Sequence, residues 1–434
     1  MGGTGSLVEP SQCMLGLVEG PFSSASVSRA AKRGLLILAL INLFNYLDRY
    51  VVAALVESLR GDPDIHLSDA QAGSLMTGFV IVYMVTAPFF GALGDRAKRP
   101  RLIAMGVAIW SLATALGGLA GSFVGLFAAR AVVGVGEAAY GTIAPSLIAD
   151  YFPQRLRGRA FAIFFAAIPI GSALGYLVGG FVDHHHGWRM AFLVAGVPGL
   201  LLAVLTLGLE DPPRGAHDVT GSAGAALTPW AAFHVLRRNI PYVMTVLGYA
   251  AYTFGLGALA FWMPAFLERE RGIPQAAGTM KFGVIVVATG LIGTFGGGWL
   301  GDTLLRRTGQ AYLWLSGITA LLAAPLVFVA LTSKEPTIYW SAMVGSQLLL
   351  FASTGPVNSV IVNVVPAGMR ATAVAGSIFC IHVLGDVPSP WLVGWLSGRS
   401  SLGQAVMVVP GAVLIAGILW TAEAWWAGRA SRRN

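Results

Sequence analysis

The sequence predicts an all-α membrane protein, with twelve transmembrane helices arranged as two pseudo-symmetric six-helix bundles. Three observations carry that expectation. The first is composition: of 434 residues, 56% are hydrophobic and 11% charged, and the mean hydropathy is +0.71. A soluble domain carries about 25% charged residues, so this chain cannot cover a water-facing surface and lipid is its main solvent. The second is that apolar runs long enough to cross a hydrocarbon core, about 20 residues each, recur twelve times. The third is that the two halves of the chain echo each other in motif order.

The spans fall at 34–57, 70–94, 101–120, 123–149, 158–182, 189–209, 241–267, 275–300, 310–331, 337–364, 370–396 and 403–427. Placing the N-terminus inside sorts the basic residues between them. One side holds nineteen, among them Arg29, Lys32, Arg33, Arg96, Lys98, Arg99 and Arg101. The other side holds six: Arg60, Arg189, Arg269, Arg271, Lys334 and Arg399. That asymmetry predicts cytoplasmic termini, and a bacterial inner (plasma) membrane is the expected location. It also explains the net charge of +8 without nucleic acid, since the basic residues lie in short clusters between apolar runs. Residues 1–28 carry no secretory signal pattern and read as a disordered tail. Residues 29–209 form the first expected bundle and 241–427 the second. Between them, 210–240 is rich in Pro, Gly and small residues and reads as a cytoplasmic linker. Residues 428–434 are a short tail. The two cysteines, Cys13 and Cys380, have no metal or redox spacing.

The echoes are specific. "GALGDRAKR" follows the second span and "GGWLGDTLLRR" the eighth; "YFPQRLRGRA" opens the fifth and "VVPAGMRATA" the eleventh. Parallel repeats of this kind are the pattern of a rocking transporter with its site at the midplane.

Charges inside the spans then stand out. "NYLDRY" at 45–50 places Asp48 and Arg49 within the first span, where each costs roughly 3 kcal/mol at a helix centre. In the fourth span, "RAVVGVGE" places Arg130 and Glu137 seven residues apart, on nearly one face and about 10 Å apart along the axis. Gly134 and Gly136 between them admit a close neighbouring helix. By rise per residue, Asp48, Arg49 and Arg130 share one membrane level and Glu137 lies about two turns deeper. Adjacent residues diverge by about 100° around a helix, so Asp48 and Arg49 do not satisfy each other. The economical arrangement pairs Asp48 with Arg130 and turns Arg49 toward Glu137 or the cavity. A static ion-pair network is one reading. A relay is the other, in which a carboxylate that loses its cation takes up and releases a proton. Asp48 and Glu137 are then the proton-coupling candidates, and Tyr46, Arg49, Arg130 and Glu137 the candidates for substrate binding and gating, all lining a central cavity.

These motifs carry a resemblance. "GALGDRAKRPR" (91–101) resembles the loop motif between helices two and three of the major facilitator superfamily, and "RAVVGVGE" is similar to its fourth-helix motif. "NYLDRY", "RAVVGVGEAAYGTIAPSLIADYF" and "AIPIGSALGYLVGG" together resemble the Spinster branch, whose animal members are linked to export of sphingosine phosphate and lysophospholipids. Lys98 and Pro100 depart from the usual loop pattern. The fifth helix, with Pro169, Gly171, Gly175 and Gly179, lacks a clear antiporter motif. In the loop, Gly91 is expected to permit close helix approach, Asp95 to dock on a helix N-terminus of the other half, and Arg96, Lys98, Arg99 and Arg101 to meet acidic head groups and carboxylates. Gly91, Gly94, Asp95, Arg96 and Arg99, with Asp302 as repeat mate, form the expected conformational-switch loop.

The resulting expectation is a proton-coupled secondary transporter of an amphipathic, lipid-like substrate, working by alternating access as a monomer among membrane lipids. A small organic anion on the same fold is the alternative, and a non-transporting membrane sensor the alternative of another class. No enzyme, cofactor or metal is expected, since nucleotide loops, paired metal ligands and serine–histidine arrangements are missing from the sequence. The run His184–His186 beside Asp183 reads as an exposed loop, and Lys281 as snorkelling outward. His382 and Asp386, four apart, are placed to pair. Tyr249, Tyr252, Phe254, Phe261 and Trp262 read as lipid-facing or packing surface, or, where they face the cavity, as an apolar wall.

Overall fold

The computed structural model describes residues 27–94, 96–214, 234–365 and 370–430. Residues 1–26 of the tail expected at 1–28, Asp95, residues 215–233 of the linker, residues 366–369 and residues 431–434 lie outside them. Among the described residues the regular structure is helical, as lipid requires of a chain that must satisfy every backbone group internally.

The first half contains α1 (Arg29–Ala54), the short α2 (Val56–Gly61), α3 (Asp69–Gly94), α4 (Arg99–Gly117), α5 (Phe123–Tyr151), α6 (Gln154–His186) and α7 (Trp188–Leu207). The Ser28 hydroxyl caps α1 by accepting from the Ala31 N–H at 3.0 Å, and Ser122 caps α5 in the same way. Helix α1 lies along α6, α3 and α4 flank α5, and α4 also packs on α7. Small residues set these contacts. Gly171, Gly175 and Gly179 form a stripe at four-residue spacing on α6, facing α1. A Cβ at Gly175 would lie 2.6 Å from the Leu47 carbonyl oxygen. The glycines that depart from an antiporter pattern therefore seat α1.

The second half contains α8 (Ile240–Arg271), α9 (Gln275–Leu305), α10 (Ala311–Thr332), α11 (Pro336–Asn363), α12 (Arg370–Ile381), a π-helical turn (His382–Asp386), α13 (Pro388–Ser397), the one-turn α14 (Leu402–Ala405) and α15 (Val408–Ala430). Helices α9, α10 and α11 pack together, and α15 joins α10 to α8.

Among the described residues, eleven helices are long and apolar enough to cross a membrane. The tenth expected span is α11, 28 residues long, which buries Ser346, Gln347 and Ser353 within the bundle. Two expectations of detail change. The eleventh span is not one α-helix but is broken by the π turn, whose Gly385 fits tightly against Thr253 and Ala250 of α8. His184–His186 form the exposed last turn of α6 rather than a loop.

The halves meet through α6 against α9, α3 against α13 and α1 against α8. Glycines again permit the approach: Gly73 of α3 abuts Pro390 and Trp391, and Gly394 of α13 abuts Asp69.

Candidate functional site

The charged residues of α1 and α5 come together in two pairs. Arg130 donates through one terminal nitrogen to both Asp48 oxygens, at 3.1 and 3.2 Å. Arg49 donates through Nε to Glu137 at 2.7 Å. Asp48 and Arg130 are 1% exposed and Glu137 is fully buried. They therefore do not line a cavity as expected but sit within the first bundle. Arg49 alone of the four is partly open, with 18% of its side chain exposed.

Close helix packing creates this arrangement. A Cβ at Gly134 would lie 2.5 Å from the Phe79 carbonyl oxygen of α3, and one at Gly136 2.6 Å from the Trp110 N–H nitrogen of α4. With α5 drawn in, the Arg49 guanidinium lies 5.0 Å from the Tyr46 ring, 5.1 Å from Phe79 and 5.4 Å from Tyr83. Phe79 also faces Arg130 at 5.2 Å. Each such contact contributes about 0.5–2 kcal/mol when desolvated. Phe79 and Tyr83 escape a reading of the sequence, because aromatic residues in an apolar span carry no marker of the cation they will meet.

Both pairs are incompletely satisfied. Arg130 Nε and its second terminal nitrogen, Glu137 Oε1 and Asn45 Nδ2 are buried without a hydrogen-bond partner. A partly satisfied buried network is costly. It leaves donors and an acceptor available to a new partner or proton.

Opposite Arg49, across the seam between the halves, lies the π turn. The His382 ring is 6.4 Å from Tyr83, and its Nδ1 is 2.9 Å from Asp386. Asn358 donates to the Tyr249 hydroxyl at 3.2 Å. Of the readings open for the α8 aromatics, packing holds for three: Tyr252, Phe261 and Trp262 are buried, with Trp262 donating to the Pro390 carbonyl and Tyr252 to the Leu350 carbonyl. Lys281 is exposed, 5.6 Å from the Trp340 ring.

The loop after α3 differs from expectation at two residues. Gly91 has open space where a Cβ would sit, so it seats no helix here, whereas Gly94 is buried against Ile143. Arg99 meets carboxylates, as expected, but not lipid head groups. It is 2% exposed, pairs with Asp150 of α5, and donates to Asp211 at 2.8 Å and to the Pro212 carbonyl at 2.6 Å. Arg214 donates to the Gly94 and Ala97 carbonyls at 2.7 and 2.8 Å. The loop is thus tied to α5 and to the start of the linker. Arg96, Lys98 and Arg101 are exposed. Asp302 is exposed and accepts from Tyr312 at 2.7 Å.

A second constellation lies at the end of the bundles remote from Arg29. Arg269 of α8 donates to Glu57 of α2 at 2.6 Å and to Asp69 of α3 at 2.8 Å. Ser397 of α13 also donates to Asp69. Gln275 of α9 reaches Ser58 and the Ala54 carbonyl, and Ser58 donates to Asp183. These contacts between the halves run from this distal end to about mid-depth, where Thr77 donates to the Val387 carbonyl. Charges at helix ends look like ordinary flanks in a sequence, so nothing there marks Glu57, Asp69 and Arg269 as one cluster.

Residues 38–387 match the family model of the Major Facilitator Superfamily. The Drosophila melanogaster protein spinster is 37% identical over 388 residues, which cover 87% of this chain and 64% of that protein. The mouse sphingosine-1-phosphate transporter SPNS2 is 34% identical over 424 residues, covering 89% of this chain and 76% of that protein. A crystal structure of a bacterial homologue of human lysosomal Spinster, inward-facing and unoccupied, superposes with a TM-score of 0.83 at 24% identity, covering 92% of this chain and 97% of that one. The chain is a multi-pass membrane transporter and not an enzyme; it belongs to the Major Facilitator Superfamily, in its Spinster branch.

Proposed function

We propose that this chain is a proton-coupled secondary transporter that moves an amphipathic anionic lipid by alternating access between its two bundles. The observation that carries the reading is the double pair Asp48–Arg130 and Arg49–Glu137. Arg49 is partly exposed, at 18% of its side chain, and its carboxylate partner is fully buried. An anionic head group arriving at the seam competes with Glu137 for Arg49. Glu137, left in a water-poor site without its cation, then takes a proton. Asp48 takes a proton in the same way whenever the cycle breaks its contact with Arg130. Guanidinium stays charged throughout, so the carboxylates carry the proton and the arginines hold the anion.

Alternating access is supported by the distal clustering of the contacts between halves. We read that closed end as the outer side of a bacterial inner membrane, with both termini in the cytoplasm and the open end facing it. The lipid class is supported by the likeness to a sphingosine-1-phosphate transporter. One observation favours a second reading, transport of a small organic anion: the second bundle faces Arg49 with His382–Asp386 and Tyr249–Asn358, not with an apolar wall.

Proteoliposomes with an imposed pH gradient, given a panel of lysolipids, sphingoid phosphates and small carboxylates, test the proposal. Gradient-driven movement of a phosphorylated lipid is the expected result. Movement of carboxylates alone supports the second reading, and transport indifferent to the gradient overturns proton coupling.

A further inference from the structure

A carboxylate far from the paired charges has no role in the account above. Glu423 of α15 is fully buried. The Thr245 hydroxyl of α8 donates to its Oε2 at 2.8 Å, and Oε1 has no partner. No basic side chain pairs with it among the described residues. An unpaired buried carboxylate costs several kcal/mol and persists only if something neutralises it.

Glu423 lines a cavity of about 340 Å³. The cavity lies at the end of the second bundle near its N-terminal residue Ile240, where α8, α10, α11 and α15 converge with the exposed turn at Gly309. Gln310 and Asn363 contribute amides, and Leu313, Val360 and Ala427 contribute apolar surface. This is an amphipathic pocket: one buried acceptor without a cation, amides, and hydrocarbon walls. A second feature fixes the acceptor in place. Trp420, one turn from Glu423, donates to the Thr245 carbonyl at 3.1 Å. The Thr245 hydroxyl that holds Glu423 is therefore itself held.

We propose that this pocket binds an alkylammonium group, with its N–H donors on Glu423 and its methylenes against the apolar walls. Such a group comes either from a soluble amine or from the head group of an aminophospholipid, and both satisfy the same carboxylate. The pocket lies wholly within the second bundle and does not touch the Arg49–Glu137 pair, so the assignment stands apart from the transport reading.

The test is thermal unfolding of the full chain at fixed pH and ionic strength. In one arm, detergent-purified protein is titrated with n-butylammonium chloride. In the other, nanodiscs of phosphatidylcholine are compared with nanodiscs doped with phosphatidylethanolamine. Stabilisation that saturates with butylammonium assigns a soluble amine, and stabilisation by phosphatidylethanolamine alone assigns the head group. Glu423→Gln should weaken the response about tenfold or more, the scale of a lost charged hydrogen bond. Ala427→Trp, which fills the pocket and keeps the carboxylate, should abolish the response even if Glu423→Gln folds poorly. No saturable response in either arm, or equal responses in wild type and Ala427→Trp, overturns the proposal and leaves Glu423 as a group that carries only a proton.

Discussion

At the residue scale, the decisive quantity is how much the buried pairs cost when broken. Arg130→Ala leaves Asp48 at 1% exposure without its cation. Removing one partner of a buried pair costs about 3–5 kcal/mol, so thermal unfolding should drop sharply. Adding Asp48→Asn to Arg130→Ala should recover part of that loss, because the uncompensated charge is gone. Additive losses across the cycle would mean that the pair is not coupled. Arg130→Lys keeps the charge but loses the planar fork, and its substrate flux should fall between those of wild type and Arg130→Ala. These four charges were legible in the sequence because an ionised group in an apolar span is expensive and therefore conspicuous. Their pairing was legible from helical rise and rotation. Their depth inside the bundle was not, since Gly134 and Gly136 reveal how far α5 is drawn in only once α3 and α4 are placed. For Arg99 the carboxylate contacts were legible but its burial was not, for a related reason: nothing in the loop motif names Asp150 and Asp211 as the partners that enclose it.

At the element scale, packing of α1 on α6 rests on the glycine stripe. Gly175→Val forces bulk against the Leu47 backbone. It should cost about 1–3 kcal/mol or more and impair transport, as read by unfolding and flux on the same preparation. Gly91→Ala, with nothing within 4 Å of the new Cβ, should be neutral within about 0.5 kcal/mol. Equal effects of the two would contradict the packing described. The turn between α2 and α3 offers a pH test. Burial pushes the Asp62 carboxyl up. Hydrogen bonds from Trp188, Arg189 and the Asp64 backbone, with the Arg189 charge, outweigh it and hold Asp62 at about 2, below the ordinary 3.8. A depressed folded-state value gives stability that is present above pH ~4 and lost as pH falls toward 2. Asp62→Asn should therefore be less stable than wild type at pH 6, with the gap closing below pH 4. A gap independent of pH would remove the carboxylate from the explanation. The helices were readable from apolar length. The π turn was not, because it depends on how α8 receives Gly385.

At the scale of the whole molecule, the two bundles are joined at the distal end by Arg269, Glu57, Asp69 and Ser397. Arg269→Ala removes the cation that both carboxylates share. Spin labels at Gly121 and Lys334, exposed at the distal ends of the two bundles, should then report longer distances, as the distal-open state gains population. An unchanged distance distribution would mean that apolar packing of α6 on α9 alone keeps the end closed. The repeat echoes made the two-bundle architecture readable, but contacts between halves come from residues with no mark in the sequence. The central claim is that the buried carboxylates couple this rocking to protons. It is tested most directly by substrate flux in proteoliposomes at a series of imposed pH gradients, for wild type and Asp48→Asn side by side. The account expects wild-type flux to rise with the gradient, and Asp48→Asn to exchange substrate at a rate indifferent to it. A mutant that keeps the wild-type response would contradict the account and leave Asp48–Arg130 as a static structural pair.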